Sequence, residues 1–354
     1  MLVKKFLPFL ALAVILGGCT LASPVSTTTK AADGGIWKST DSGKTWSQAN
    51  DVLTTKGKIA SIASVDIGKL SLDPQDATTV YLSTEKNGVI YSLDGGASWQ
   101  QFKKLKYDQV KKVVVSPQNK CVFYVLLDTY VFKTDNCGRD FINVYYHQKA
   151  NVVLTDISID PANPNIMFMG TSVGEILKSV NGGQAWVTSY RITGGSVKDI
   201  LFDPRDSRTV YIGTDKEGIY KTANSGESWV SLGEGLKSYI GSQQYKQLAI
   251  DNATPNGLIF ISKFGMLRSA DGGNSWGIVD LLPAQRSATI LTVAVNPKNS
   301  KEIYYATAGA LVKSVDGGKT WSSRKLPYSR LTTAIVINPD TPATVYLATK
   351  SAQE

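Results

Sequence analysis

One histidine, His147, and three cysteines, Cys19, Cys121 and Cys137, limit the chemistry open to this 354-residue chain. A zinc site built on two histidines is excluded, as are four-thiolate zinc and iron-sulfur sites. A serine triad could be built only with His147 as its base. Carboxylates are the remaining catalytic type. Those with a loop setting suited to glycoside chemistry are Glu85, Asp128, Glu175, Asp215 and Glu217, with Asp156 and Asp199 near strand starts. Such a pair acts only when its members lie about 5–10 Å apart. No glycine-rich loop between a strand and a helix offers a phosphate cradle. The formal charge of +9 is too modest for a nucleic-acid binder, and no cofactor or metal is expected.

The N-terminus reads as an address. Lys4 and Lys5 precede an apolar run from Phe6 to Leu16, too short to span a bilayer but suited to a signal-peptide core. The ending Leu16-Gly17-Gly18-Cys19 resembles the bacterial lipobox, in which the cysteine is lipidated and becomes the mature N-terminus. The expected division is therefore a signal peptide over 1–18, a lipidated Cys19 with a flexible linker over 19–33, and a folded domain over 34–350. Such a protein works outside the cytoplasm, on the outer membrane or the cell surface. In that oxidising setting a Cys121–Cys137 disulfide is expected over two free thiols, since the two fall nearly opposite each other in a hairpin turning at Asp128-Thr129.

The elements that position these residues follow from a repeat. An octet Ser-x-Asp-x-Gly-x-x-Trp recurs with its key residues at Asp41, Asp94, Asn181, Asn224, Asp271 and Asp316, and a degenerate copy centres on Asn136. Six of the seven tryptophans belong to it, and its glycines recur every 42 to 53 residues, the length of one four-stranded propeller blade. Each octet follows a short strand. Upstream lies an apolar strand closed by Pro74, Pro117, Pro161, Pro204, Pro297 or Pro339, residues suited to a turn because proline cannot donate to a ladder. Within the octet the Asp or Asn accepts turn amides, Gly takes a left-handed conformation, and Trp buries its ring. The first octet has only one strand before it, and the missing pair lies at 334–348. The expectation is an all-β, seven-bladed propeller whose N- and C-terminal strands share one blade, leaving no open edge inside the ring.

These octets resemble Asp boxes, also called BNR repeats. The span 34–350 is similar to the Asp-box propellers of the photosystem II stability/assembly factor family, and more distantly to family 74 glycoside hydrolases and sortilin-type receptors. The first resemblance implies a scaffold that helps assemble or stabilise a membrane complex. The second implies glycan hydrolysis or carbohydrate binding. Family 74 enzymes hold substrate between two propellers, and this chain has residues for one. Sialidases use an Arg-Ile-Pro element that Tyr190-Arg191-Ile192-Thr193 imitates without the proline.

In a propeller the octet turns and proline turns share one face. The Asp-box residues Asp41, Asp94, Asn136, Asn181, Asn224, Asp271 and Asp316 are therefore read as turn caps away from the usual site. Loops on the opposite face mix bases and tyrosines: Lys103, Lys104, Lys106, Tyr107, Tyr145, Tyr146, Tyr190, Arg191, Lys237, Tyr239, Arg286, Arg324, Lys325, Tyr328 and Arg330. They form a candidate binding face for an acidic protein or an anionic glycan, with charge from Arg and Lys and flat amphipathic area from Tyr. The plainer alternative is a solvated basic surface. The sequence favours a monomeric, membrane-tethered scaffold without catalysis; as an enzyme it would be a glycoside hydrolase.

Overall fold

The computed structural model describes residues 32–52, 60–105, 109–282, 284–287 and 289–352. The predicted leader, Cys19 and most of the linker lie outside them, as do Lys106 and Tyr107. Seven four-stranded antiparallel sheets follow one another, with no α-helix among the described residues. The first blade pairs Leu331–Ile337, Val345–Lys350, Ile36–Ser39 and Ser47–Gln48, with Trp37 opposite Leu347. The second comprises Ile67–Asp73, Asp76–Thr84, Val89–Ser92 and Gln100–Gln101. The third comprises Lys112–Ser116, Asn119–Leu126, Tyr130–Thr134 and Ile142–Tyr146. The fourth, fifth, sixth and seventh begin with inner strands Leu154–Ile159, Val197–Phe202, Tyr245–Asp251 and Thr292–Asn296. A ladder between strands some 300 residues apart in sequence thus closes the ring.

Burial within each blade follows from the stacking. Second strands such as Met167–Thr171 and Val210–Thr214 are covered on both faces and buried at every residue. They read as continuous apolar runs rather than alternating ones, as strands covered on both faces do. Outer strands such as Val187–Arg191 are mostly exposed. The core is split into layers between blades. One layer packs Tyr81, Phe102, Phe123 and Val125, with the Phe102 and Phe141 rings edge to face at 5.5 Å.

The octets turn third strands into outer ones. In the first, the Ser39 hydroxyl donates to Asp41 at 2.7 Å and accepts from the Gly43 N–H at 2.8 Å. The Thr45 N–H and hydroxyl donate to the same carboxylate at 2.8 and 2.6 Å. Gly43 has φ +79°, a conformation glycine adopts without steric cost. A basic residue precedes the octet Ser or Thr in six copies: Lys38, Lys133, Lys178, Lys221, Arg268 and Lys313. Lys38 Nζ and the Tyr346 hydroxyl both donate to the Gly95 carbonyl in the next octet, at 2.7 and 3.0 Å. Lys313 and Tyr304 do the same to the Ser42 carbonyl, each at 2.9 Å. The first two octets are therefore each a turn within one blade and an acceptor for its neighbour, and those at Asn181 and Asp271 likewise accept from Tyr124 and Lys221.

Candidate functional site

Opposite the octets lie the turns between second and third strands and the connections that enter each inner strand. Inner strands begin there with a bulge near their third residue, at Ile67/Lys69, Leu154/Asp156, Val197/Asp199 and Tyr245/Gln247. Lys69 of the second blade bonds Asp156 of the fourth and Asp199 of the fifth, each at 3.3 Å. Contacts between non-adjacent blades require these side chains to meet on the ring axis. Lys112 joins Asp156 at 2.9 Å, the Ile200 N–H donates to Asp156 at 2.8 Å, and the Tyr245 hydroxyl donates to Asp199 at 2.8 Å. Gly213 permits the tyrosine's position, since a Cβ there would fall 2.0 Å from the Tyr245 ring.

Asp156 and Asp199 share one ammonium and so lie close enough to be weighed as a glycosidase pair, whose members stand about 5–10 Å apart. The electrostatics of Asp156 oppose that use. Burial pushes the Asp156 carboxyl up, but Lys112 and Lys69 more than offset this and hold it below the usual carboxylate range. Burial pulls the Lys69 ammonium down, and Asp156 and Asp199 outweigh it, leaving the group above its ordinary value. A general acid needs the opposite tuning, a carboxyl raised toward neutrality. Burial also pushes the Tyr245 hydroxyl well up, with the Asp199 charge adding to it, so it stays a protonated donor.

Other sequence candidates are partnered at the edge of this face. Glu175 meets Arg191 and, at 3.8 Å, Lys149. Asp128 pairs with Lys111 at 2.8 Å and Glu85 with Lys350 at 3.3 Å. His147 is buried, with Nδ1 3.0 Å from the Tyr145 hydroxyl. The structure joins Cys121 and Cys137 in a disulfide, with Cα atoms 3.9 Å apart.

The basic and tyrosine residues do not converge as one surface. Tyr328 is buried against Trp37, ring centroids 5.8 Å apart, and its hydroxyl lies 2.8 Å from that of Thr332. Arg330 clips blade to blade through Asp66 at 3.0 Å. Lys104 pairs with Asp140 in the third blade's octet at 2.5 Å, Tyr239 donates to the Trp276 carbonyl, and Lys237 pairs with Glu234. Arg324 reaches the Lys44 carbonyl of the first octet at 3.1 Å. Lys103, Tyr146, Tyr190 and Lys325 stay exposed, with Tyr146 stacked on Tyr130 at 4.8 Å. Tyr145 is half-buried edge-on to Trp186. Of the predicted binding-face residues Arg286, and of the candidate carboxylates Asp215, line the large concavity of this face, a cavity of about 990 Å³ where the fifth, sixth and seventh blades meet. Of its other cations, Lys246 ends the basic and tyrosine-bearing stretch 237–246 that the sequence offers on this face, whereas Lys216 and Lys263 are lone lysines in short turns that no sequence pattern marks.

No family model and no curated protein matches this chain. Solved structures do. The GH74 enzyme of Niastella koreensis aligns with a TM-score of 0.65 at 17% identity, over 81% of this chain and 51% of the enzyme. YCF48 bound to D1 peptide aligns at 0.63 and 17%, over 81% of this chain and 94% of YCF48. YCF48 from Cyanidioschyzon merolae aligns at 0.62 and 16%, over 81% and 96%. The chain spans about half the length of the hydrolase and nearly all of YCF48. At these identities the likeness is one of fold: a seven-bladed propeller of the kind found in both.

Proposed function

We propose that the protein is a non-catalytic, extracytoplasmic scaffold, tethered to a membrane through Cys19, that binds a protein partner on the face opposite the octets and assists the assembly or stability of a membrane complex. The observation that carries this reading is the axial lattice: the best-placed carboxylate pair is tied to Lys69 and Lys112, which hold Asp156 below the usual carboxylate range, opposite to the tuning of a general acid. The single-propeller length shared with YCF48, whose structure includes a bound peptide, supports a binding role.

The test is affinity capture with the lipidated chain from detergent-solubilised membranes, beside a hydrolysis screen on xyloglucan and other polysaccharides. A membrane protein recovered without any turnover is the expected result. Turnover that disappears in Asp156→Asn, with no partner recovered, would replace this reading with the hydrolase one.

A further inference from the structure

The mouth of the ring carries one region of charge that the fold leaves unanswered. In the 990 Å³ concavity, Lys216 sits on the turn after the fifth blade's second strand, Lys263 on the matching turn of the sixth, and Lys246 on the sixth blade's inner strand. None of the three has a carboxylate oxygen within 4 Å among the described residues, whereas Lys111, Lys149 and Lys350 on the same face are paired. Arg286 lies with its guanidinium 5.3 Å from the Phe264 ring centre and donates to the Ile240 carbonyl at 3.1 Å, which leaves other N–H groups over. The one carboxylate of the lining, Asp215, accepts the Ser196 N–H at 2.7 Å. Four cations thus face one occupied anion.

The shape of the surroundings narrows the ligand. A second cavity of about 290 Å³, walled by Ser172, Val173, Gly194 and Gly195, adjoins the first and shares Asp215 and Lys216 with it. Together they make a trough running from the fourth blade to the seventh, with Lys216 at its middle. An extended chain fits a trough of that form better than a compact ion does. Sugar recognition leans on exposed aromatic faces, and here the nearby rings are withdrawn: Tyr245 is buried and Phe264 is roofed by Arg286. Ile240, 77% exposed on the rim, offers an apolar contact instead.

We propose that this trough is the partner-binding subsite and takes an extended acidic peptide segment, its carboxylates on Lys216, Lys246, Lys263 and Arg286 and an apolar side chain against Ile240. This deepens the scaffold reading and rests on it.

The test uses the full-length chain and a fluorescein-labelled octapeptide of six acidic residues and two leucines, followed by fluorescence anisotropy. Binding is expected to weaken at least about ten-fold in Lys216→Glu/Lys263→Glu and as salt rises, because desolvated charge pairs dominate such contacts and exposed ones are screened. Lys319→Glu, a change on the octet face, leaves affinity as it was, and unchanged thermal unfolding shows that both variants fold. Ile240→Ser lowers affinity for this peptide and not for one with the leucines replaced by glycine. Equal affinity in wild type and the double variant overturns the proposal, as does tighter binding of oligogalacturonate than of the peptide. If the double variant still captures the membrane partner, the subsite fails and the scaffold reading stands; if wild type captures none, the scaffold reading itself fails.

Discussion

The octet face and the mouth treat charge in opposite ways. At the octets, Asp41, Asp271 and Asp316 each take hydrogen bonds from a hydroxyl two residues back and from the amides and hydroxyls that follow. Each is thereby closed within its own turn, and the Asp41 turn also presents the Ser42 carbonyl to Lys313 and Tyr304 of the blade before it, as the Asp271 turn presents the Gly272 carbonyl to Lys221. At the mouth, Lys216, Lys246 and Lys263 have no carboxylate partner among the described residues. Groups satisfied internally hold the ring, and groups left over face whatever the ring binds. The axial lattice lies between these extremes: it is charged, positioned like a site, and wholly answered by its own counter-ions.

Changes on the octet side act on stability. The largest effect falls on Trp99, fully buried, whose ring N–H donates to the Ala49 carbonyl at 2.7 Å. Trp99→Ala removes that packing and should cost about 3–5 kcal/mol, read as a lower denaturant midpoint. Separating Cys121 from Cys137 with a double serine substitution opens a loop of sequence separation 16 and should cost about 3 kcal/mol. The same loss should follow from reductant on the wild type and not on the variant. Asp271→Ala leaves the Ser275 amide and hydroxyl without their acceptor and should cost about 1 kcal/mol with peptide affinity unaltered. A drop in affinity from any of these three would blur the division between the faces.

The pH profile sharpens the same comparison at smaller scale. Hydrogen bonds from the Ser275 hydroxyl and amide hold the Asp271 carboxyl down to about 2, and those from Thr45 and Thr320 hold Asp41 and Asp316 lower still. A folded-state value below the unfolded one means that the contribution is fully present above about pH 4. It should be lost as pH falls from there toward 2, seen as a declining Tm. The asparagine-bearing octets at Asn136, Asn181 and Asn224 do not titrate, so Asp41→Asn/Asp271→Asn/Asp316→Asn should flatten that decline.

The architecture was legible because its evidence is local. Seven octets in phase, each with its glycine and aromatic at set offsets, are enough for seven blades, and prolines mark the turns at the ends of inner strands. The site was far less legible, since its contacts join residues such as Lys69 and Asp199, separated by 130 positions, that no spacing pattern links. Asp156 and Asp199 could be noticed in the sequence, but their neutralisation by Lys69 and Lys112 could not. Loop position was a poor guide to exposure, too: Tyr328 and Arg330 sit in a polar-looking connection and are used up in blade contacts. A signal did exist for the interblade clamp. The basic residue before the octet Ser or Thr recurs in six of seven copies, yet it reads as a solvated strand end until the acceptors of Lys38, Lys221 and Lys313 in the next blade are seen.

The central claim is that the mouth binds and the octets hold. Its most direct measurement is capture from solubilised membranes with wild type, Lys216→Glu/Lys263→Glu and Asp271→Ala in parallel, each shown by circular dichroism to be folded. The account predicts the same partner on wild type and Asp271→Ala and none on the double variant, whose stability stays within about 0.5 kcal/mol of wild type. Equal recovery on the double variant, or loss on Asp271→Ala alone, would contradict it.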